Sequence, residues 1–426
     1  MARSPQNPIG AEVNGDDNTL AALRSRGPVR GRLALMGPAL VAAIAYIDPG
    51  NIATNTQAGA LTGYSLTWVI VASSLIAMLV QYMSAKLGLA TGRSLPEVCR
   101  DVFPRRVNVL LWIQAELVAV ATDLAEFVGA ALGLNLLFGV PLPMAGLFTA
   151  AVSLAILAVQ RRGQRRFEDV IALFLLLTAL GFIYDLAAGG PASWGSVATG
   201  LRPTLIDDTA VTLAVGIVGA TVMPHAVYLH SALTEHRVAV HGAREMHYLL
   251  RYLRLDCLIG LGLASLVNLA MLAFAAELFA GHEGWPDSLP ATHELIGWTL
   301  GATAATVFAV ALLASGIASS SVGTYAGQVV MAGFINRRIR LVARRLITMC
   351  PSLVVLGVGL PVTDTLIVSQ VALSFGVPFA LVPLLIITRR RDLMGPLVNR
   401  RITDVLAAIS CAVVIVLNGW LLATLG

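Results

Sequence analysis

The chain has 426 residues, of which 57% are hydrophobic and only 12% charged, with a net charge of +5. A soluble globular chain carries about 25% charged residues, so half that charge together with a mean hydropathy of +0.79 excludes one. The basic residues sit between apolar runs with no aromatic interleaving, which excludes nucleic-acid binding. Four scattered cysteines (Cys99, Cys257, Cys350 and Cys411) form no CxxC pair, so neither a disulfide scaffold nor a cysteine metal site is expected.

Residues 1–32 are polar and basic, lack the apolar core of a signal peptide, and read as a mobile tail. Eleven apolar segments follow, at about 33–60, 65–90, 107–137, 142–159, 168–187, 209–233, 255–278, 299–332, 343–360, 364–388 and 404–425. Many reach the ~20 residues that cross a bilayer core, which predicts an all-α polytopic membrane protein with eleven transmembrane helices. Of the 29 Lys and Arg residues, 27 fall in the tail and in alternate loops, among them Arg93, Arg166, Arg254, Arg337 and Arg401. Lys86 faces the same side, and only Arg202 lies opposite. The positive-inside rule then puts the N-terminus in the cytoplasm and the C-terminus outside the cell membrane.

The first segment carries Asp48-Pro49-Gly50-Asn51 in its middle. Proline lacks a donor and clashes with the preceding turn, so the helix is expected to break there. The third segment carries Glu116, Asp123 and Glu126. At 100° per residue, Glu116 and Asp123 lie within about 20° of each other and Glu126 about 60° further round. Carboxylates facing lipid are untenable, so this shared face must look into the bundle. The sixth segment carries a second break at Met223-Pro224-His225, with His230 further along the same helix. The eighth, with Ala314, Ser315, Gly316, Ser319, Ser320 and Gly323, reads as a close-packing surface. Arg344 and Arg345 open the ninth and are the expected partners of the acidic face. His282 and His293, in an outer loop, read as solvated side chains.

Breaks in segments one and six, the first of two five-helix halves, point to an inverted-repeat transporter with its site between them. The unwound backbone offers a carboxylate (Asp48), an amide oxygen (Asn51), a thioether (Met223) and the carbonyls of Ala45 and Ala220. Mixed hard and soft donors suit divalent transition metals such as Mn and Fe better than Ca or Mg.

DPGN in the first segment with MPH in the sixth resembles the signature of the Nramp family of proton-coupled divalent metal transporters. The stretches GATVMPHAVYLHSAL, WIQAELVAVATDLAEFVGAALG, LLASGIASSSVGTYAG and LSFGVPFALVPL extend the resemblance over the chain from about residue 33. It implies a LeuT-like fold of two inverted five-helix repeats, 33–187 and 209–388, plus one extra helix, 404–425. It also implies a metal site of Asp48, Asn51, Met223, Ala45 and Ala220, which Thr221, Asn268 and Gln370 approach in the outward-facing state. A proton would pass from Asp48 to Asp123, past Glu126, Glu116, Arg344 and Arg345, with His225 and His230 alongside. Metal and protons are substrates in this reading, and neither a resident cofactor nor an obligate protein partner is expected. Two rivals share some of these features, a sodium-coupled amino-acid symporter of the same architecture and a passive divalent-cation channel. An aspartate at the site would repel a substrate carboxylate, and no ring of repeated filter residues marks a pore. No nucleophile–base set marks an enzyme.

Overall fold

The computed structural model describes residues 37–160, 164–189, 194–235, 242–279, 288–337 and 339–425, which form helices joined by short connections. The tail 1–32 lies outside the described residues, as do Arg161, Arg162, Arg237, Arg338 and His282. The first expected span is two helices, α1 (Pro38–Ala45) and α2 (Pro49–Thr62), and the sixth is likewise α9 (Asp208–Thr221) and α10 (Pro224–Thr234). Between them lie α3 (Thr67–Thr91), α4 (Leu95–Val102), α5 (Arg105–Phe138), α6 (Leu142–Gln160), α7 (Gln164–Ala188) and α8 (Trp194–Thr199). After them come α11 (Ala243–Phe279), α12 (Leu289–Leu300), α13 (Ala302–Ile335), α14 (Leu341–Val358) and α15 (Val362–Thr388). A short α16 (Arg391–Met394) precedes α17 (Arg401–Leu425).

By length and composition eight of these segments can cross a bilayer: α3, α5, α7, α9 with α10, α11, α13, α15 and α17. The other three expected spans correspond to the α1–α2 pair, the 19-residue α6 and the 18-residue α14, which contains Pro351. Four loops of the sequence reading contain helix instead: α4, α8, α12 and α16. Each is too short for a hydrophobic period to register, but α4 carries its own start signal. Glu97 accepts from the Ser94 amide at 3.0 Å, one half of a capping box.

The interrupted helices sit at the centre. Along its most apolar stretch the α9–α10 segment is 94% buried, against 39% for the peripheral α17. Packing is reciprocal: α2 lies along α11, and α10 lies along α3. Among the described residues the most extensive helix–helix contact joins α5 to α13, and α15 lies against α9 and α5. Both breaks are thereby enclosed by α5, α13, α11 and α15.

Candidate metal site and ionisable network

The two prolines explain which carbonyls are available. In a continuous helix the carbonyl of residue i accepts from the amide of residue i+4. Pro49 and Pro224 lack that amide, so the orphaned carbonyls are those of Ala45 and Ala220. Asp48 caps α2, its Oδ1 accepting from the Asn51 amide at 2.8 Å and from Asn51 Nδ2 at 2.7 Å. Asn51 Nδ2 also donates to the Ala220 carbonyl at 2.9 Å, which ties one break directly to the other. Met223 is the residue before α10, fully buried and without a capping hydrogen bond.

What remains unpartnered here is a set of oxygens: Asp48 Oδ2, Asn51 Oδ1, Thr221 Oγ1 and Gln370 Oε1. All four side chains are within 1% of full burial. A buried oxygen without a donor costs free energy unless a cation or water serves it. Gln370 reaches the first break because residue 50 is glycine, since a Cβ there would lie 1.8 Å from Gln370 Nε2. Among the described residues no group of three His, Cys, Asp or Glu side chains forms a metal site. The donors gathered here are one carboxylate, neutral oxygens and a thioether.

Around this centre lies a polar ring of which Asn268 and His230 were expected from the sequence as site residues. Asn268 donates to the Tyr46 carbonyl at 2.9 Å and accepts from Asn55 Nδ2 at 3.0 Å. Tyr46 accepts through its hydroxyl from Gln81 Nε2 at 2.6 Å, and Gln81 Oε1 lies 2.9 Å from His230 Nδ1. Ser315 donates to the Ile47 carbonyl. Ser315 and Ser320, read as packing residues, thus bind backbone at the break and an arginine respectively. Hydroxyls on a small-residue helix face serve both purposes, and nothing in the local pattern separates them.

The acidic face of α5 turns inward as expected. Arg344 meets Glu116 with two contacts, 2.7 and 3.3 Å. Arg345, wholly buried, reaches Asp123 Oδ1 at 3.3 Å and Thr324 Oγ1 at 3.1 Å, contacts Ser320 Oγ, and lies 5.9 Å from the Phe127 ring centroid. The α13 glycines make room for this chemistry: a Cβ at Gly323 would lie 2.5 Å from Glu126 Oε2, and one at Gly327 2.2 Å from the Arg344 guanidinium. Glu126 is fully buried beside the Ser319 hydroxyl. Its charged neighbours are Asp123, Asp48 and Arg345. One turn further along α5, Gly129 packs on Pro49. Along α5, Glu126 is one turn and Asp123 two turns from the glycine that packs on the first break. His225 Nδ1 lies 3.2 Å from Thr122 Oγ1 on the same helix, and its Nε2 is unpartnered. Outside this network, His293 is half-buried rather than solvated, and burial holds its imidazole below the ordinary range.

The chain matches the Nramp family, described as natural resistance-associated macrophage protein-like, over residues 39–424. It is 47% identical over 430 residues to the divalent metal cation transporter MntH of Deinococcus radiodurans, covering 99% of this chain and 98% of that one. To the MntH of Bacillus subtilis it is 46% identical over 394 residues, 92% of each chain. The crystal structure of the Eremococcus coleocola manganese transporter superposes with a TM-score of 0.80 at 31% identity, covering 92% of this chain and 86% of that one. Mhp1, a nucleobase-cation-symport-1 family transporter, superposes with a TM-score of 0.62 at 17% identity over 99% of this chain and 97% of its own, which shows a shared fold alone. The expected LeuT-like architecture is the one observed. A family match along almost the whole described chain, and relatives nearly half identical over it, show that this protein belongs to the Nramp family.

Proposed function

We propose that the protein takes up Mn2+ and Fe2+, and also Cd2+ and Co2+, into the cytoplasm together with protons by alternating access in the cell membrane. Eleven crossings, with the N-terminus cytoplasmic and the C-terminus outside, follow from the positions of Lys and Arg. The observation that carries the reading is the pair of breaks joined through Asp48, Asn51 and the Ala220 carbonyl, beside buried Met223. In this reading Asp48, Asn51, Met223 and the carbonyls of Ala45 and Ala220 bind the metal. The unpartnered oxygens of Thr221 and Gln370, with Asn268, complete the shell in another conformation.

Protons are proposed to leave Asp48 by Glu126 and Asp123, then pass Arg345, Arg344 and Glu116 toward the cytoplasm, with His225 and His230 flanking the site. The supporting observation is that the carboxylates Glu116, Asp123 and Glu126 share one face of α5 and have Arg344, Arg345 and Asp48 as their charged neighbours. An amino-acid symporter needs helix amides free for a substrate carboxylate, whereas the α2 amide of Asn51 is already held by Asp48. Uptake of Mn2+ into proteoliposomes carrying an internal pH dye tests the whole reading. Metal entry should acidify the lumen, and entry without acidification would leave a passive pathway.

Selectivity is expected to rest on sulfur. A thioether adds little to Mn2+ binding but denies Ca2+ and Mg2+ a full oxygen shell. Met223→Ala should keep Mn2+ uptake within about tenfold of wild type, admit Ca2+, and lose Cd2+ transport most, Cd2+ being the softest of these ions. Competition of excess Ca2+ against Mn2+ in the variant measures this. If Met223 only fills space, all metals should fall by one common factor.

A further inference from the structure

Building on the metal site proposed above, we infer that Asp256 of α11 is a positioning residue for it: Asp256 holds the half helix α1, and with it the Ala45 carbonyl, by capping α1 from another helix. The first donors of α1 are few. Gly37 and Ala39 offer amides, while Pro38 between them has none. Both amides go to one carboxylate: Gly37 N to Asp256 Oδ1 and Oδ2 at 3.1 and 3.2 Å, and Ala39 N to Oδ2 at 3.0 Å. Asp256 is 0% exposed, and a carboxylate at a helix N-terminus meets the positive end of its dipole.

The other half helices are arranged differently. Asp207 caps α9 through the Ala210 amide at 2.7 Å, and Asp48 caps α2, each from its own chain segment. Among the described residues α10 has no side-chain cap, and α1 takes its cap from more than 200 residues away. One turn along α11 from Asp256, Gly260 completes the seat, for a Cβ there would lie 3.0 Å from the Ala39 carbonyl oxygen. The eight residues of α1 span about 12 Å. Its first turn is therefore fixed to α11 within one short rigid rod of the carbonyl at its far end. Asp256 has no place among the proposed metal donors or on the proposed proton route, and both of its oxygens face the first turn of α1. Opening of the site on this side requires α1 either to leave Asp256 or to carry α11 with it.

Hydrogen–deuterium exchange of the full-length protein without metal tests the inference, and it does not depend on the metal assignment. Asp256→Asn keeps one acceptor oxygen and loses the other along with the charge. Exchange in residues 39–47 should rise about fivefold to tenfold, the scale of a lost helix cap, while self-capped α9 stays unchanged. Asp256→Glu, which keeps both acceptors, should remain closer to wild type. In proteoliposomes the asparagine variant should show a raised KM for Mn2+ with a smaller change in maximal rate, since a donor carbonyl is loosened. If that variant does not insert, Gly260→Ala, which presses α1 off its seat with Asp256 intact, should give the same confined rise. Exchange that stays at the wild-type rate in α1, or rises equally in α9, in the variant that folds overturns the inference.

Discussion

Replacing Asp48 with alanine is expected to reduce Mn2+ uptake by more than about 100-fold, because residues that merely support a metal ligand already contribute 10–100-fold. The carboxylate has two duties that the structure separates by atom. Oδ1 caps α2 and holds the Asn51 side chain, while Oδ2 has no partner. Loss of the cap alone costs about 1 kcal/mol, which would alter the break without abolishing function. Asp48→Asn distinguishes the two, since its amide oxygen still caps but the negative charge is gone. Uptake should fall nearly as far in Asp48→Asn as in Asp48→Ala. If the asparagine variant transports at close to the wild-type rate, Asp48 is a cap and the site assignment fails. Asn51→Ala should follow Asp48→Ala, since Asn51 also bridges to the Ala220 carbonyl.

Arg345→Met is expected to destabilise the folded protein by about 3–5 kcal/mol, the usual consequence of removing one partner from a buried ion pair. Arg345 is wholly enclosed, and Asp123 is its carboxylate partner. Without it Asp123 and Glu126 stand beside each other in the interior with no counter-charge. The double variant Arg345→Met/Asp123→Asn removes one of these two carboxylates, and with it their mutual repulsion, and should recover much of the loss, measured by thermal unfolding in detergent. Recovery would show a stability role for the pair, and the same Asp123→Asn substitution alone then reports on transport. A carboxylate that relays protons cannot be replaced by an amide. Asp123→Asn should therefore lower acidification per Mn2+ ion more than it lowers Mn2+ entry. An unchanged ratio would assign the network to structure alone. Arg344 is the milder case, since its partner Glu116 keeps 21% side-chain exposure and water can screen the loss.

The proposed metal site and the proposed proton route meet at one point of α5. Gly129 packs on Pro49 and Glu126 has Asp48 among its charged neighbours. Movement of the first break therefore changes the surroundings of the carboxylates directly, over one helical turn, with no intermediate element required. The Asp256 seat acts on the opposite side of the same break.

Much of this was legible in the residues themselves. Helix in lipid is obligatory for a chain of this hydropathy, because every backbone donor must be satisfied within its own segment. The breaks were equally legible, since proline removes a donor whatever surrounds it. The inward direction of Glu116, Asp123 and Glu126 followed from helical period and the cost of charge in lipid, and Arg344 and Arg345 stand where that reasoning sent them. Tertiary structure alone decided the rest, because those contacts join residues far apart in the chain, and spacing carries no signal for them. Asn55 with Asn268, Gln81 with Tyr46 and His230, and Thr122 with His225 are of this kind. So is the division of small residues on α13 between packing and polar roles. Asp256 is the sharpest case: a lone aspartate in an apolar helix has no local pattern to mark it, and its role exists only because α1 ends beside it.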